Sequence, residues 1–311
     1  MSTPLSTETG SARRQPTVAL ALGAGGAKGL AHIGVIEELE AQGYRITAIA
    51  GSSMGALIGG IHAMGKLDVY RDWVGALAKF DVLRLVDWTF SGGGLIKGEK
   101  IIGTLRGLIG DALIEELPLA FTAVATDIDR EREVWLSRGS LFDAIRASIA
   151  IPTVFRPHHI GGRRLVDGGL LNPVPVTPLI REPADYLIAV SVDGAASEPV
   201  PTIPPSEETA DVPGYRQRIG SFIGRLISHG GNGDAPREPG ALELLTQAMD
   251  LMQANLSRLR LAAYEPDLLI QLPRNMASPY EFYRARELIE LGRQQARASL
   301  AHWPQAITPE Q

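Results

Sequence analysis

The run Gly51-Ser52-Ser53-Met54-Gly55 constrains this chain more than any other stretch, because it sets a serine at a turn where only very small neighbours fit. The apolar residues 46–50 before it read as a buried strand, and 54–64 after it read as a helix. Such a strand-to-helix elbow holds the Ser53 hydroxyl exposed at the top of a parallel sheet, with Gly51 and Gly55 where a side chain would collide. The helix then aims its free N–H groups and positive dipole end at that hydroxyl. A developing anion is stabilised there.

A second glycine cluster, Gly23-Ala24-Gly25-Gly26-Ala27-Lys28-Gly29, follows the apolar run 17–22 and precedes a helical pattern through Leu30, Ile33, Val35, Ile36 and Leu39. Gly43 is placed to end that helix as a left-handed cap. Such a loop exposes successive backbone N–H groups, which cradle a phosphate or the oxyanion of an acyl-transfer intermediate. A Walker loop fails because Lys28 is followed by Gly29 rather than Ser or Thr. A dinucleotide fingerprint fails at its third glycine, where Lys28 stands, and the next strand ends in Ala50 and Gly51 instead of a ribose-binding acid. The oxyanion reading is favoured.

Downstream, 163–169 reads as a short strand ending in Asp167-Gly168-Gly169, a carboxylate on a turn too small to obstruct it. A serine nucleophile needs an adjacent base, and a hydrolase triad runs Ser, then acid, then His. The histidines after Asp167 are His229, in a Gly/Pro-rich stretch, and His302, at the tail of a helix; neither follows an apolar strand. His32 and His62 fall within helices, and the adjacent His158 and His159 point to opposite faces of an extended segment. With no cysteine and no spaced His/Asp/Glu set, neither a metal site nor a cofactor is expected.

Glycine loop with a basic residue, G-x-S-x-G elbow, then D-G-G, in that order and without a triad histidine, resembles the patatin-like phospholipase family. The resemblance covers about 17–192 and includes the run DAIRASIAIP at 143–152. It implies a lipid acyl hydrolase in which Ser53 is the nucleophile, Asp167 the acid of a Ser-Asp dyad, and Gly25, Gly26, Ala27, Lys28 and Gly29 the oxyanion loop. On physical grounds Asp167 must be desolvated and in direct reach of Ser53, and the N–H groups of Gly25, Gly26 and Met54 must supply much of the rate. Asp127, ending 124–127, is the rival acid. For Lys28 two readings stay open: a group that holds a substrate phosphate or shapes the loop, and a solvated lysine. The competing functions are a Ser-His-Asp α/β-hydrolase esterase and a non-enzymatic phosphate- or nucleotide-binding protein.

The pattern of strands near 18–22, 46–50, 120–125, 164–167 and 186–192 predicts an α/β fold with a mainly parallel sheet covered by helices on both faces, in three layers. A further strand is expected over 267–272, then a closing helix capped by Ser278 with Pro279 first and Glu281 as capping-box acid. Residues 1–16 read as a disordered tail without a secretory signal, and 17–311 as the hydrolase domain. Within it, 66–110, with Trp73, Phe80, Trp88 and Phe90 ahead of a hinge-like run at 91–94, is an apolar lid or a packed helical subdomain, and 195–240 a flexible insertion. The stripe Leu242, Leu245, Met249, Met252, Leu256 and Leu259 reads as core packing.

Composition sets the expected surroundings. The chain is 45% hydrophobic with net charge −5 and no basic run, which excludes nucleic acid and any strong general attraction to anionic membranes. The expected partner is a lipid or acyl-ester substrate met in the cytoplasm, with peripheral membrane or micelle contact; nothing in the sequence sets the oligomeric state. The uncharged run 46–65 is long enough to span a bilayer by count, but its glycines, serines and histidine mark it as core.

Overall fold

Alternation of large and small apolar residues along the strands sets the layering. The computed structural model describes residues 14–78, 98–152, 154–197 and 241–303. Among these, one sheet contains β1 (Thr17–Leu22), β2 (Arg45–Ser52), β3 (Ala120–Asp127), β4 (Arg132–Leu136), β5 (His158–Ile160), β6 (Arg163–Asp167), β7 (Tyr186–Gly194) and β8 (Leu268–Pro273). The spatial order is β5-β6-β3-β2-β1-β7-β8, with β4 on the other side of β3. The pairings β3-β2-β1-β7-β8 are parallel.

Val18, Leu20, Leu22, Ile46 and Ile49 point to one face of the sheet and meet helices α1 (Ala31–Ala41), α2 (Met54–Ala63), α3 (Leu67–Gly75), α4 (Glu99–Ile109) and α5 (Leu141–Ser148). The opposite face presents Ala19, Ala21, Ala48, Ala50 and Ala189. Those small side chains admit a close irregular segment carrying Val174, Val176 and Leu179, together with Leu261 of α6 (Ala241–Ala263). A final helix, α7 (Ala285–Ala301), packs Leu288, Ile289, Ala296 and Leu300 into the first layer. Each fully buried Leu or Ile contributes about 1.5–3 kcal/mol relative to exposure. That burial takes the uncharged run 46–65 into β2 and α2, and no helix among the described residues is long and apolar enough to cross a membrane.

The α/β class, the mainly parallel sheet and the three layers stand as the sequence implies, and Gly43 ends α1 at φ +85°. Three expectations change. The strand at 164–167 is antiparallel to β3, and the short β4, paired with β3, and β5, paired with β6, make this end of the sheet antiparallel. The closing helix begins at Ala285, after a 3-10 turn over Phe282–Arg284. Glu281 does reach back to the Ser278 N–H at 2.9 Å, but Pro279 is held instead by the glycine loop. The leucine stripe of α6 is not core packing: Leu245, Met252 and Leu259 are exposed, because the helix turns its polar residues inward. Within 66–110, α3 and α4 bury Leu67, Tyr70, Val74, Ile102, Leu105 and Ile109 in the main core. Trp88, Phe90 and His229 lie outside the described residues, as do 1–13 and most of the expected insertion.

Candidate active site

Strands β2 and β6 approach each other end to end along the same side of β3. Ser52, the last residue of β2, pairs with Val124, and Asp167, the last of β6, pairs with the adjacent Ala125. The antiparallel direction of β6 is therefore what brings Asp167 to the elbow.

Ser53 sits at φ 54° and ψ −121°, a left-handed backbone that a serine adopts at a cost of order 1–3 kcal/mol. Its N–H donates to Ser148 Oγ at 2.9 Å, and that hydroxyl donates to the Val124 carbonyl at 2.5 Å, so α5 clamps the elbow onto β3. A Cβ on Gly51 would stand 2.4 Å from the Ala56 nitrogen, and one on Gly55 2.1 Å from the Leu22 carbonyl oxygen. The elbow is thus pressed against the end of β1. At the first turn of α2, the N–H groups of Met54 and Gly55 have no acceptor within the helix.

Asp167 is fixed from three directions. Its N–H donates to the Ala150 carbonyl at 2.9 Å, its carbonyl accepts from Thr126 Oγ1 at 3.0 Å, and its Oδ1 accepts the Gly169 N–H at 2.7 Å. Burial pushes its carboxyl up to about 6, opposed by the Ser53 hydroxyl and the Gly169 N–H. Its other oxygen, Oδ2, is buried as well. The turn tolerates no side chain at Gly168, where a Cβ would stand 2.1 Å from the Val124 carbonyl oxygen.

The glycine loop is tied on both flanks and open in the middle. Gly23 N–H donates to the Val190 carbonyl at 3.0 Å, Ala24 N–H to the Pro173 carbonyl at 2.8 Å, and Ala27 N–H to the Pro279 carbonyl at 2.9 Å. Between them, the N–H groups of Gly25 and Gly26 bond to nothing among the described residues. Ala27, expected in the oxyanion set, cannot donate to a substrate while Pro279 holds its N–H. The loop continues as a 3-10 turn over Gly26–Leu30, in which Gly29 packs against Met54.

Lys28 is neither solvated nor free. Its Nζ lies 3.2 Å from Asp193 Oδ1 and 3.4 Å from the Val192 carbonyl oxygen, with the side chain 12% exposed, so it pins the loop to the end of β7. His32 does the same from below: Nε2 is 2.8 Å from the Gly23 carbonyl oxygen, which only accepts, so Nε2 carries the proton. Burial lowers its pKa to about 4, which keeps the ring neutral at pH 7.

The rival groups are engaged elsewhere. Burial would raise the Asp127 pKa, but Arg130 at 3.0 Å and the N–H groups of Arg130 and Asp129 hold it below the usual value; it closes a turn at the end of β3. His302 caps α7 with Nδ1 2.9 Å from the Ala298 carbonyl oxygen. Its neighbour Trp303 packs on Tyr186, at the start of β7 and so at the opposite end of the parallel strands from Ser53. Ser148 and Pro279 are the supporting residues that sequence reasoning missed. Ser148 stood inside the 143–152 run, but nothing local said that its hydroxyl would face the elbow.

The patatin-like phospholipase family model matches residues 20–180, a span that contains the loop, the elbow and the Asp167 turn. The chain belongs to the patatin-like phospholipase family. An NTE family protein of Mycobacterium tuberculosis is 39% identical over 92% of this chain and 91% of its own length. The lysophospholipase nte1 of Emericella nidulans is 31% identical over 56% of this chain and 12% of its own. Among solved structures, VipD from Legionella pneumophila is similar at 16% identity and a TM-score of 0.44, covering 93% of this chain and 67% of that one. As a patatin-like phospholipase, the chain is a lipid acyl hydrolase.

Proposed function

We propose that the protein cleaves carboxylic esters of phospholipids or lysophospholipids through a Ser53 acyl-enzyme, with Asp167 as the base. The observation that carries this reading is the meeting of β2 and β6 on adjacent residues of β3, opposite a glycine loop with two unengaged N–H groups. Asp167 takes the Ser53 proton as Oγ attacks the ester carbonyl. Negative charge that develops on the carbonyl oxygen is held by the N–H groups of Gly25, Gly26 and Met54. Collapse breaks the bond to the alcohol, which leaves with the proton from Asp167. Water, deprotonated by the same carboxylate, then attacks the acyl-enzyme and releases the fatty acid, as the proton passes from Asp167 back to Ser53 Oγ.

A fluorophosphonate probe tests the nucleophile: mass spectrometry should find one adduct, on Ser53. An unlabelled, folded protein would favour a phosphate-binding role for the loop. Parallel hydrolysis of phospholipid, lysophospholipid and triacylglycerol identifies the leaving group.

The reading also sets a pH profile. Asp167 acts only when ionised, so kcat/KM on a soluble ester should rise through about pH 6, where burial has moved its carboxyl, and fall about tenfold per unit below that. A limb near the ordinary Asp value of 3.8 would mean that a solvated acid serves as base.

A further inference from the structure

Helix α6 lies across the dyad turn with its polarity inverted. A methyl placed on Gly169 would stand 3.1 Å from Gln253 Nε2 and 3.0 Å from Asp167 Oδ1, and Asp250 sits in the field of Lys28 and Asp193 at the glycine loop. Gln253 is half-buried and Ser257 only 2% exposed. Apart from the buried Leu261 and the half-buried Met249 and Leu256, its large apolar residues face outward: Leu251 is 62% exposed, Met252 68% and Leu259 69%, with Leu244 and Leu245 also exposed. A surface helix normally buries its leucines. This one offers them to the surroundings beside the candidate site.

A second surface joins it. Arg260 of α6 pairs with Glu133 of β4 at 3.4 Å, and Glu133 lines a groove of about 370 Å³ with Arg132, Val134, Trp135 and Arg163. Trp135 is 47% exposed on this edge strand, and neither Arg132 nor Arg163 forms an ion pair among the described residues. Arg258, exposed on α6, binds the Ala254 carbonyl and no carboxylate among the described residues. The apolar helix is thus linked through Arg260 and Glu133 to a groove that carries a tryptophan and two arginines without an ion pair among the described residues, although the chain as a whole carries a net charge of −5.

We propose that the outward face of α6 and the Arg132-Trp135-Arg163 groove together seat the protein on an anionic lipid surface. Leucine and methionine enter the acyl boundary, tryptophan sits at headgroup level, and the arginines meet anionic headgroups. Charge complementarity selects this occupant over a second copy of the chain, whose arginines would face each other in a two-fold arrangement. The inference rests on the hydrolase reading only for why a lipid surface should be met there.

The test uses full-length Ser53→Ala protein, so that lipid is not consumed, sedimented with vesicles of phosphatidylcholine alone or mixed with phosphatidylglycerol. Binding to the mixed vesicles is expected, weakening with salt. Each arginine near an anionic surface is worth about fivefold in partitioning, so Arg132→Gln with Arg163→Gln should lose roughly thirtyfold. Leu251→Ser with Met252→Ser should lose binding while remaining folded. In the Ser53-intact background both pairs should hydrolyse a monomeric soluble ester at the parent rate. Equal binding to both vesicle types, indifference to the arginine pair, or a dimer in sedimentation that the Leu251/Met252 pair abolishes would each overturn the proposal. Vesicle binding by a parent protein without esterase activity would instead overturn the hydrolase reading and leave this one standing.

Discussion

Replacing Ser53 with alanine, replacing Asp167 with asparagine, and doing both together are expected to leave nearly the same residual rate. If nucleophile and base act as one unit, losing either removes the acyl-enzyme route, at a cost of order 10⁴-fold or more in kcat, and the second loss adds little. Each single variant should keep its fold. Asp167→Asn should even be more stable above pH 6. Its folded-state pKa of about 6 lies above the ordinary 3.8, so the native state binds the proton more tightly than the unfolded chain does, and stability from this group is lost as pH rises through that window. A shift from 3.8 to about 6 corresponds to about 3 kcal/mol at neutral pH, most of which the amide should recover. Asp127→Asn is the comparison: it loosens a turn and should keep most of the activity. Steady-state kinetics on a soluble ester with thermal melts at pH 5 and pH 8 decide the matter. Multiplying losses in the double variant would sink the dyad.

His32 has the opposite linkage. Its folded-state pKa of about 4 lies below the ordinary 6.5, so its contribution to stability is present above pH 6.5 and lost as pH falls toward 4. A fall in activity toward low pH is therefore to be separated from unfolding by the melt at each pH.

The residues proposed to act were legible because each stands at a strand end beside glycines, and the chemistry of a tight turn is written locally. What was not legible is pairing. The sequence near Asp167 reads as a strand, but its direction depends on β3 offering Ala125 once β2 has stopped at Val124, and no local pattern encodes where a neighbouring strand stops. The same holds for Ala27. Its N–H looks as available as its neighbours' until a proline carbonyl from the far end of the chain takes it. In α6 the sequence misled for a different reason: periodicity shows that one stripe is apolar, not which way it faces, and Gln253 and Ser257 look inward because the candidate site is there. Polar residues on a buried face and leucines on an open one invert the usual inference from pattern to core.

Gly26→Ala is expected to lower kcat by about 100- to 1,000-fold with little change in KM, the size of effect that follows loss of one oxyanion donor. Gly26 adopts φ +55°, and a Cβ there would stand 2.7 Å from the Pro279 carbonyl oxygen, which also accepts the Ala27 N–H. The methyl must therefore push the loop away from Pro279, and the Gly25 and Gly26 N–H groups lose their aim. A donor aimed at the transition-state oxyanion contributes little to binding the ester, so the loss belongs in kcat. Backbone strain alone is controlled by Gly43→Ala, at φ +85° with no atom within 4 Å of the added methyl, which should cost about 1 kcal/mol of stability and leave turnover intact. If Gly26→Ala instead raises KM at constant kcat, the loop is a ground-state cradle for a phosphate. If Gly43→Ala loses turnover as well, the Gly26 effect reports strain in the fold and says nothing about the oxyanion.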